Sequence, residues 1–262
     1  MSGDRKVRID LAYVGTAFHG WQIQPDRRTV QGELRNALTL LLGRDIMPMG
    51  AGRTDTGVHA RGQVAHLHVA TGEEIERIER ALSGMMPDDI EITGVAAVPA
   101  EFNARGSAIG RRYSYHLQLA RDIFRPYAWS LYRPLDRAAM DAAAAGFLGA
   151  HDFTSFCKTS SLKDDGNVCD VARCAFEWGP DSAIFHVRAN RFLHHMVRNM
   201  VGTLVEIGRG ERPADDIPRI LAARKRSACG RMAPPQGLFL EEVIYPGDGD
   251  APDSETPEGG SP

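Results

Sequence analysis

The sequence predicts an α+β fold made of two β-α-β-β-α-β halves that share a mainly antiparallel sheet. Two observations carry that prediction. Apolar spacing switches between a period of two and a helical period in the same order twice, and a break near Pro99 to Gly106 separates the two rounds. Such halves are ferredoxin-like. Residues 1–104 are expected to form the first, 105–246 the second, and 247–262 an acidic, disordered tail. The repeat is one of element order only.

In the first half, Arg5 to Val14 alternates as a strand with Val7, Ile9, Leu11 and Tyr13 on one face. A loop with Gly15, Gly20 and Pro25 carries Phe18, His19 and Trp21. Thr29 reads as an N-cap for a helix over Val30 to Leu42, with Leu34, Leu38, Leu41 and Leu42 on its apolar face. Then come a short strand at Ile46–Met49, a strand over Gln63–Ala70, a helix from about Glu73 to Gly84, and a strand from Ile90 to Val98. In the second half, Ile109–Leu119 is a strand and Asp136 caps a helix reaching Phe147. Val171–Trp178 and Ala183–Ala189 form a hairpin around Gly179-Pro180. Leu193–Ile207 is a helix, Asp215–Ala223 an extra one, and Leu238–Tyr245 the last strand.

Composition narrows the function. The chain has 262 residues, 43% of them hydrophobic and 25% charged, which fits a globular protein with a sizeable core. The charged N-terminus has no apolar stretch of signal-peptide type, and no apolar run is long enough to span a membrane. Cys157, Cys169, Cys174 and Cys229 show no Cys-x-x-Cys pairing, so they indicate neither a zinc site nor a disulfide framework. A reducing cytoplasm is the simplest home. The formal charge of −3 hides an asymmetry: residues 247–262 hold five acids and no Lys or Arg, and the remainder stands at +2. Arg111-Arg112 and Arg224-Lys225-Arg226 are local basic clusters on that remainder.

The chemistry is expected between Gly50 and Gly62, in Gly-Ala-Gly-Arg-Thr-Asp-Thr-Gly-Val-His-Ala-Arg-Gly. Glycines at 50, 52, 57 and 62 let the backbone turn and let a ligand approach. Within that frame lie Asp55, Arg53, Arg61, His59 and two threonine hydroxyls, too polar a set for packing. Arg53, two residues from Asp55, would keep the carboxylate ionised if they pair. An ionised carboxylate without a second acid beside it suits a nucleophile better than a general acid. On the tripeptide alone, Asp55-Thr56-Gly57 reads better as an ordinary Asx-type turn with a surface salt bridge. An aspartic-protease reading fails, because that chemistry needs two carboxylates sharing a proton and no second Asp-Thr-Gly exists.

Two further stretches stand out. Alternation puts Arg111, Tyr113 and Tyr115 on one face of their strand, where tyrosine either fills core or stacks on a base. Leu193–Ile207 has an apolar stripe, with His194, His195, Arg198 and Asn199 on its other face. Adjacent residues on a helix point about 100° apart, so His194 and His195 are not expected to share a metal, and no metal site is expected.

Gly52-Arg53-Thr54-Asp55-Thr56-Gly57-Val58-His59-Ala60 closely resembles the signature of the tRNA pseudouridine synthase A family. Tyr13-Val14-Gly15-Thr16-Ala17-Phe18-His19-Gly20-Trp21-Gln22, Phe192-Leu193-His194-His195-Met196-Val197-Arg198-Asn199 and Ala233-Pro234-Pro235-Gln236-Gly237-Leu238 resemble further motifs of it. Together with Thr29–Leu34, Glu101–Arg105 and His151–Phe156, they extend the resemblance over residues 5 to 245. Departures are Thr56, the segment Lys158–Asn167 and the acidic tail. The resemblance implies a pseudouridine synthase fold with an active-site cleft between its halves. It also implies isomerisation of uridine to pseudouridine at positions 38, 39 and 40 of the tRNA anticodon stem-loop, by a homodimer, without cofactor or metal. Asp55 would be the catalytic nucleophile, Arg198 its pairing partner, and Tyr113 and Leu238 the residues enclosing the uracil. Arg53 would be a second counter-charge or take the place of the flipped nucleotide. The rival readings are a non-catalytic RNA-binding module and a pseudouridine synthase with another RNA target.

Overall fold

The computed structural model describes residues 5–159 and 166–248. In the first half the order is β1 (Arg5–Tyr13), α1 (Val30–Leu42), β2 (Met49–Gly50), β3 (His59–Val69), α2 (Gly72–Met85) and β4 (Ile90–Val98). The second half runs β5 (Gly110–Gln118), β6 (Trp129–Ser130), α3 (Arg137–Ala145), β7 (Gly149–Asp152), β8 (Val168–Trp178), β9 (Ser182–Ala189), α4 (Met196–Gly208), α5 (Asp216–Ala223) and β10 (Leu238–Ile244). The fold is α+β. Among the described residues, all ten strands belong to one mixed, mostly antiparallel sheet in the order β4-β1-β3-β10-β5-β9-β8-β7, with β2 added to β3 and β6 to β5.

Sequence patterning explains the local elements. Thr29 caps α1, its hydroxyl accepting from Gly32 N, and Gly43 closes the helix in the left-handed conformation. Alternation along β1 buries Val7, Ile9, Leu11 and Tyr13, and these pack with Leu34 and Leu38 of α1 and Ile78 and Leu82 of α2. A second cluster joins Phe185 and Val187 of β9 to Met200, Val201 and Leu204 of α4 and to Phe147, Phe153 and Phe156. The described residues thus form two apolar cores on one sheet.

The seam between the cores is the parallel pairing of β10 with β3, limited to Phe239 opposite His59 and Leu240 opposite Ala60. On its other edge β10 pairs antiparallel with β5, placing Leu240 opposite Tyr113 and Leu238 opposite Tyr115. At Gly62 a Cβ would meet Glu241 O at 2.4 Å, so only glycine lets the two strands approach this closely. Tyr113 packs against both cores, which puts it in the seam.

Several boundaries differ from the sequence reading. The early strand is Met49–Gly50, not Ile46–Met49, and β3 starts at His59, not Gln63. Residues 59–62 have no clean alternation because they face the seam, where pairing with β10 decides their conformation. The short strands β6 and β7 had no sequence signal and form by pairing with β5 and β8. The difference that bears on the site is α4, which begins at Met196 and not at Leu193. The expected tail lies outside the described residues from 249 onward, as do residues 160–165 of the Lys158–Asn167 segment. Cys157, Cys169, Cys174 and Cys229 are buried free thiols. No helix among the described residues is long and apolar enough to cross a membrane.

Candidate active site

The loop from Gly50 to Val58 is fixed mainly by residues 13–63, with one bond from Arg111 Nη2 to Ala51 O at 3.1 Å. Thr54 is buried, and its hydroxyl lies 2.8 Å from Tyr13 Oη. Gln63 Nε2 donates to Tyr13 Oη at 3.3 Å and to Gly52 O at 3.1 Å. Trp21 N donates to Thr54 O at 3.1 Å, and Val58 N to Asp55 O at 3.1 Å. The neighbouring Gly20 has φ +88°, and a Cβ there would stand 2.6 Å from Thr54 O. Two loops therefore interlock at a spacing no other residue permits. Burial pushes the Tyr13 phenol up to about 12, against the opposing bonds from Thr54 and Gln63, so it works as a neutral hydroxyl.

The charge around Asp55 comes from the second half. Arg198, in the first turn of α4, donates from Nη1 to Asp55 Oδ2 at 2.9 Å and from Nε to Ala233 O at 2.9 Å. The guanidinium is nearly buried, so the contact is a partly desolvated ion pair and not a surface one. His194 Nε2 lies 3.0 Å from Asp55 Oδ1, and His195 Nε2 3.5 Å from Asp55 Oδ2. Burial holds the His195 imidazole below its usual range, while the charge of Asp55 pulls the other way. The carboxylate also faces the start of a helix, whose partial positive charge has the same sign as Arg198.

Sequence reasoning missed the histidines as partners of Asp55. A helix starting at Leu193 would splay the two rings about 100° apart. Instead His195 has φ +69° and precedes α4 without a side-chain cap, so the chain turns there and both rings meet one carboxylate. One signal was available: histidine is among the few residues enriched at positive φ. The geometric reason against a shared metal therefore does not hold.

Tyr113 lies edge-on to Phe192, with ring centroids 5.0 Å apart. Burial raises its phenol far above the usual value, reinforced by nearby Tyr13 and Asp55 and opposed by Arg111. Leu238, at the start of β10, is buried in the second core. Arg53 is exposed and makes no ion pair with Asp55 among the described residues. Thr54 is turned inward to Tyr13, which turns its neighbour Arg53 out to solvent. The structure thus gathers Asp55, Arg198, His194 and His195 in one place, and leaves Arg53 outside that group.

A profile of the tRNA pseudouridine synthase family matches residues 11–105 and 143–246. A tRNA pseudouridine synthase A of Halalkalibacterium halodurans is 44% identical over 239 residues, 90% of this chain and 90% of its own. One from Brevibacillus brevis is 43% identical, over 92% of this chain and 100% of its own. One from Myxococcus xanthus is 38% identical, over 97% and 96%. A solved dye-decolorizing protein from V. cholerae aligns over 81% of this chain and 88% of its own. At 10% identity and a TM-score of 0.20, that likeness carries no argument about the fold.

Proposed function

This chain belongs to the tRNA pseudouridine synthase family, and from that membership we propose that it converts uridine to pseudouridine in the tRNA anticodon stem-loop, at positions 38, 39 and 40. The enzyme is an isomerase acting on tRNA. The observation that carries the finer reading is the Asp55 carboxylate, held by Arg198 from the other half near the seam residue Tyr113.

In the proposed reaction the N1–C1′ bond breaks, the uracil rotates in place, C5 bonds to C1′, C5 loses its proton and N1 gains one. The nucleoside keeps its atoms and oxidation level, so the scheme needs no cofactor or metal as reactant. Asp55 is the nucleophile acting at the uracil or the ribose. Its fixed counter-charge, Arg198, holds the carboxylate aimed before substrate arrives. Tyr113 stacks on the uracil and Leu238 closes the other side, confining the base while it turns. A stem base is out of reach, so the nucleotide must flip out at a cost of a few kcal/mol. Phosphate contacts from basic residues offset that cost. The exposure of Arg53 supports giving it a contact with RNA and not with the carboxylate.

We take residues 1–104 and 105–246 as the functional halves. The strand orders β4-β1-β3-β2 and β10-β5-β9-β8 support reading each as ferredoxin-like. We also propose a cytoplasmic homodimer that shares one tRNA. The exposed Ile123, Phe124 and Tyr132 offer apolar surface for a second copy. Light scattering with and without tRNA tests that assembly.

Target choice is tested by mapping pseudouridine after incubation with intact tRNA, an isolated anticodon arm and ribosomal RNA fragments. Modification confined to positions 38–40 of tRNA supports the proposal, and modification of the ribosomal fragments alone overturns the target. Binding of tRNA with no modification of any RNA would favour a non-catalytic binding module.

A further inference from the structure

Asp55, His194 and His195 each offer a ligand atom, and those atoms lie within 4.8 Å of one another. We propose that this trio is a reversible, inhibitory binding site for a borderline-soft divalent metal, zinc above all, which masks Asp55. Two imidazoles and one carboxylate are a donor set that suits zinc, whereas magnesium and calcium prefer oxygen alone.

The geometry agrees. Zinc–ligand bonds of about 2.0–2.2 Å in a tetrahedron require donor atoms about 3.3–3.6 Å apart. His194 Nε2 stands 3.0 Å from Asp55 Oδ1 and His195 Nε2 3.5 Å from Asp55 Oδ2, with the imidazole centroids 4.1 Å apart. Turning the His195 ring from Oδ2 toward Oδ1 brings the three atoms, already within 4.8 Å of one another, onto one ion. Both rings would bind as neutral imidazoles through Nε2, with the proton on Nδ1. The left-handed turn at His195 makes this possible, since a regular helix would separate the rings. The His194 side chain is 41% exposed, so an ion enters from solvent, and the fourth position is left to water.

Arg198 sets the strength of the site. Its guanidinium occupies Asp55 Oδ2 at 2.9 Å and repels a cation, leaving Oδ1 as the oxygen ligand. Binding is accordingly weaker than at a structural zinc centre, and a chelator reverses it. Zinc on Oδ1 takes the electron pair that a nucleophile needs. This inhibition rests on the proposed role of Asp55, whereas the binding does not.

The test titrates zinc into the full chain against a chromophoric chelator. One equivalent should bind to the wild type, and His194→Gln with His195→Gln together should weaken that binding at least tenfold, a floor set by the ~10–100-fold cost of losing even an outer partner of a ligand. His194→Gln alone, at the exposed ring, keeps the test valid if the double variant fails to fold. Wild type that takes up no zinc, or variants that bind it equally, would overturn the site. Zinc should also stop pseudouridine formation, with recovery on adding magnesium-saturated EDTA. Zinc bound at these residues with full activity would instead contradict the placement of Asp55 at the reaction centre.

Discussion

Helices α2 and α4 occupy matching places, following β3 and β9, which stand third in the orders β4-β1-β3-β2 and β10-β5-β9-β8, yet they begin in opposite ways. Thr71 caps α2 conventionally, its hydroxyl accepting from Glu74 N at 3.3 Å, and only Ile78 and Leu82 of that helix are buried. In α4 every residue but Glu206 is buried, and its first turn follows a left-handed His195 with no side-chain cap. The strained, uncapped start is the one that meets Asp55. Local strain persists where the surroundings over-determine it, and such places cluster at functional sites. The contrast shows how labour divides around Asp55: hydrogen bonds from Tyr13, Trp21 and Gln63, with one from Arg111 to Ala51 O, fix the shape of its loop, and Arg198 at the start of α4 supplies the charge.

Breaking the charge should have the largest effect. Arg198→Met removes the ion pair and leaves Ala233 O without its side-chain donor, so kcat/KM should fall about 10²–10³-fold, by the scale of losing one preorganised electrostatic partner. Single-turnover kinetics on tRNA check this, and a change below threefold would end the comparison.

The seam itself should respond to pH. His59 is buried where β3 meets β10, Nδ1 accepts from Gly15 N at 3.0 Å, and burial lowers its pKa from 6.5 to about 4. The unfolded ring takes up a proton in a pH range where the folded ring does not. Stability is therefore complete above about pH 6.5 and lost as pH falls toward 4, on the order of 3 kcal/mol from this group. Urea melts across that window should show the loss, and His59→Asn, which keeps an acceptor for Gly15, should flatten it.

On the shape side, Tyr13→Phe removes the bonds to Thr54 and Gln63 inside the first core. A loss of about 1–3 kcal/mol in unfolding free energy follows, with a smaller fall in activity than for Arg198→Met. The mildest change is Thr71→Ala at the ordinary cap of α2. Chemical denaturation should register about 0.5–1 kcal/mol and turnover should not move. A large loss of activity there would deny any difference between the two helix starts.

Much of this was readable from residues. Thr29 followed by a helical stripe placed α1 to the residue, and Asp55 in its polar loop stood out by composition. The partners of Asp55 were less accessible. The pairing with Arg198 spans 143 positions and depends on how two cores dock, which no local pattern encodes. The apolar stripe of α4 runs smoothly back to Leu193, so periodicity hides the turn at His195. Arg53 looked like a neighbour of Asp55 because it is near in sequence. The inward pull of Tyr13 on Thr54 sends it outward instead.

The most direct test of the central claim is tritium release from tRNA labelled at C5 of uridine, for wild type beside Asp55→Ala. C5 gives up its hydrogen on bonding to C1′, so release reports the isomerisation itself. Wild type should release tritium while Asp55→Ala releases none and still binds tRNA. Equal release by both proteins would contradict the account and move the catalytic role away from Asp55.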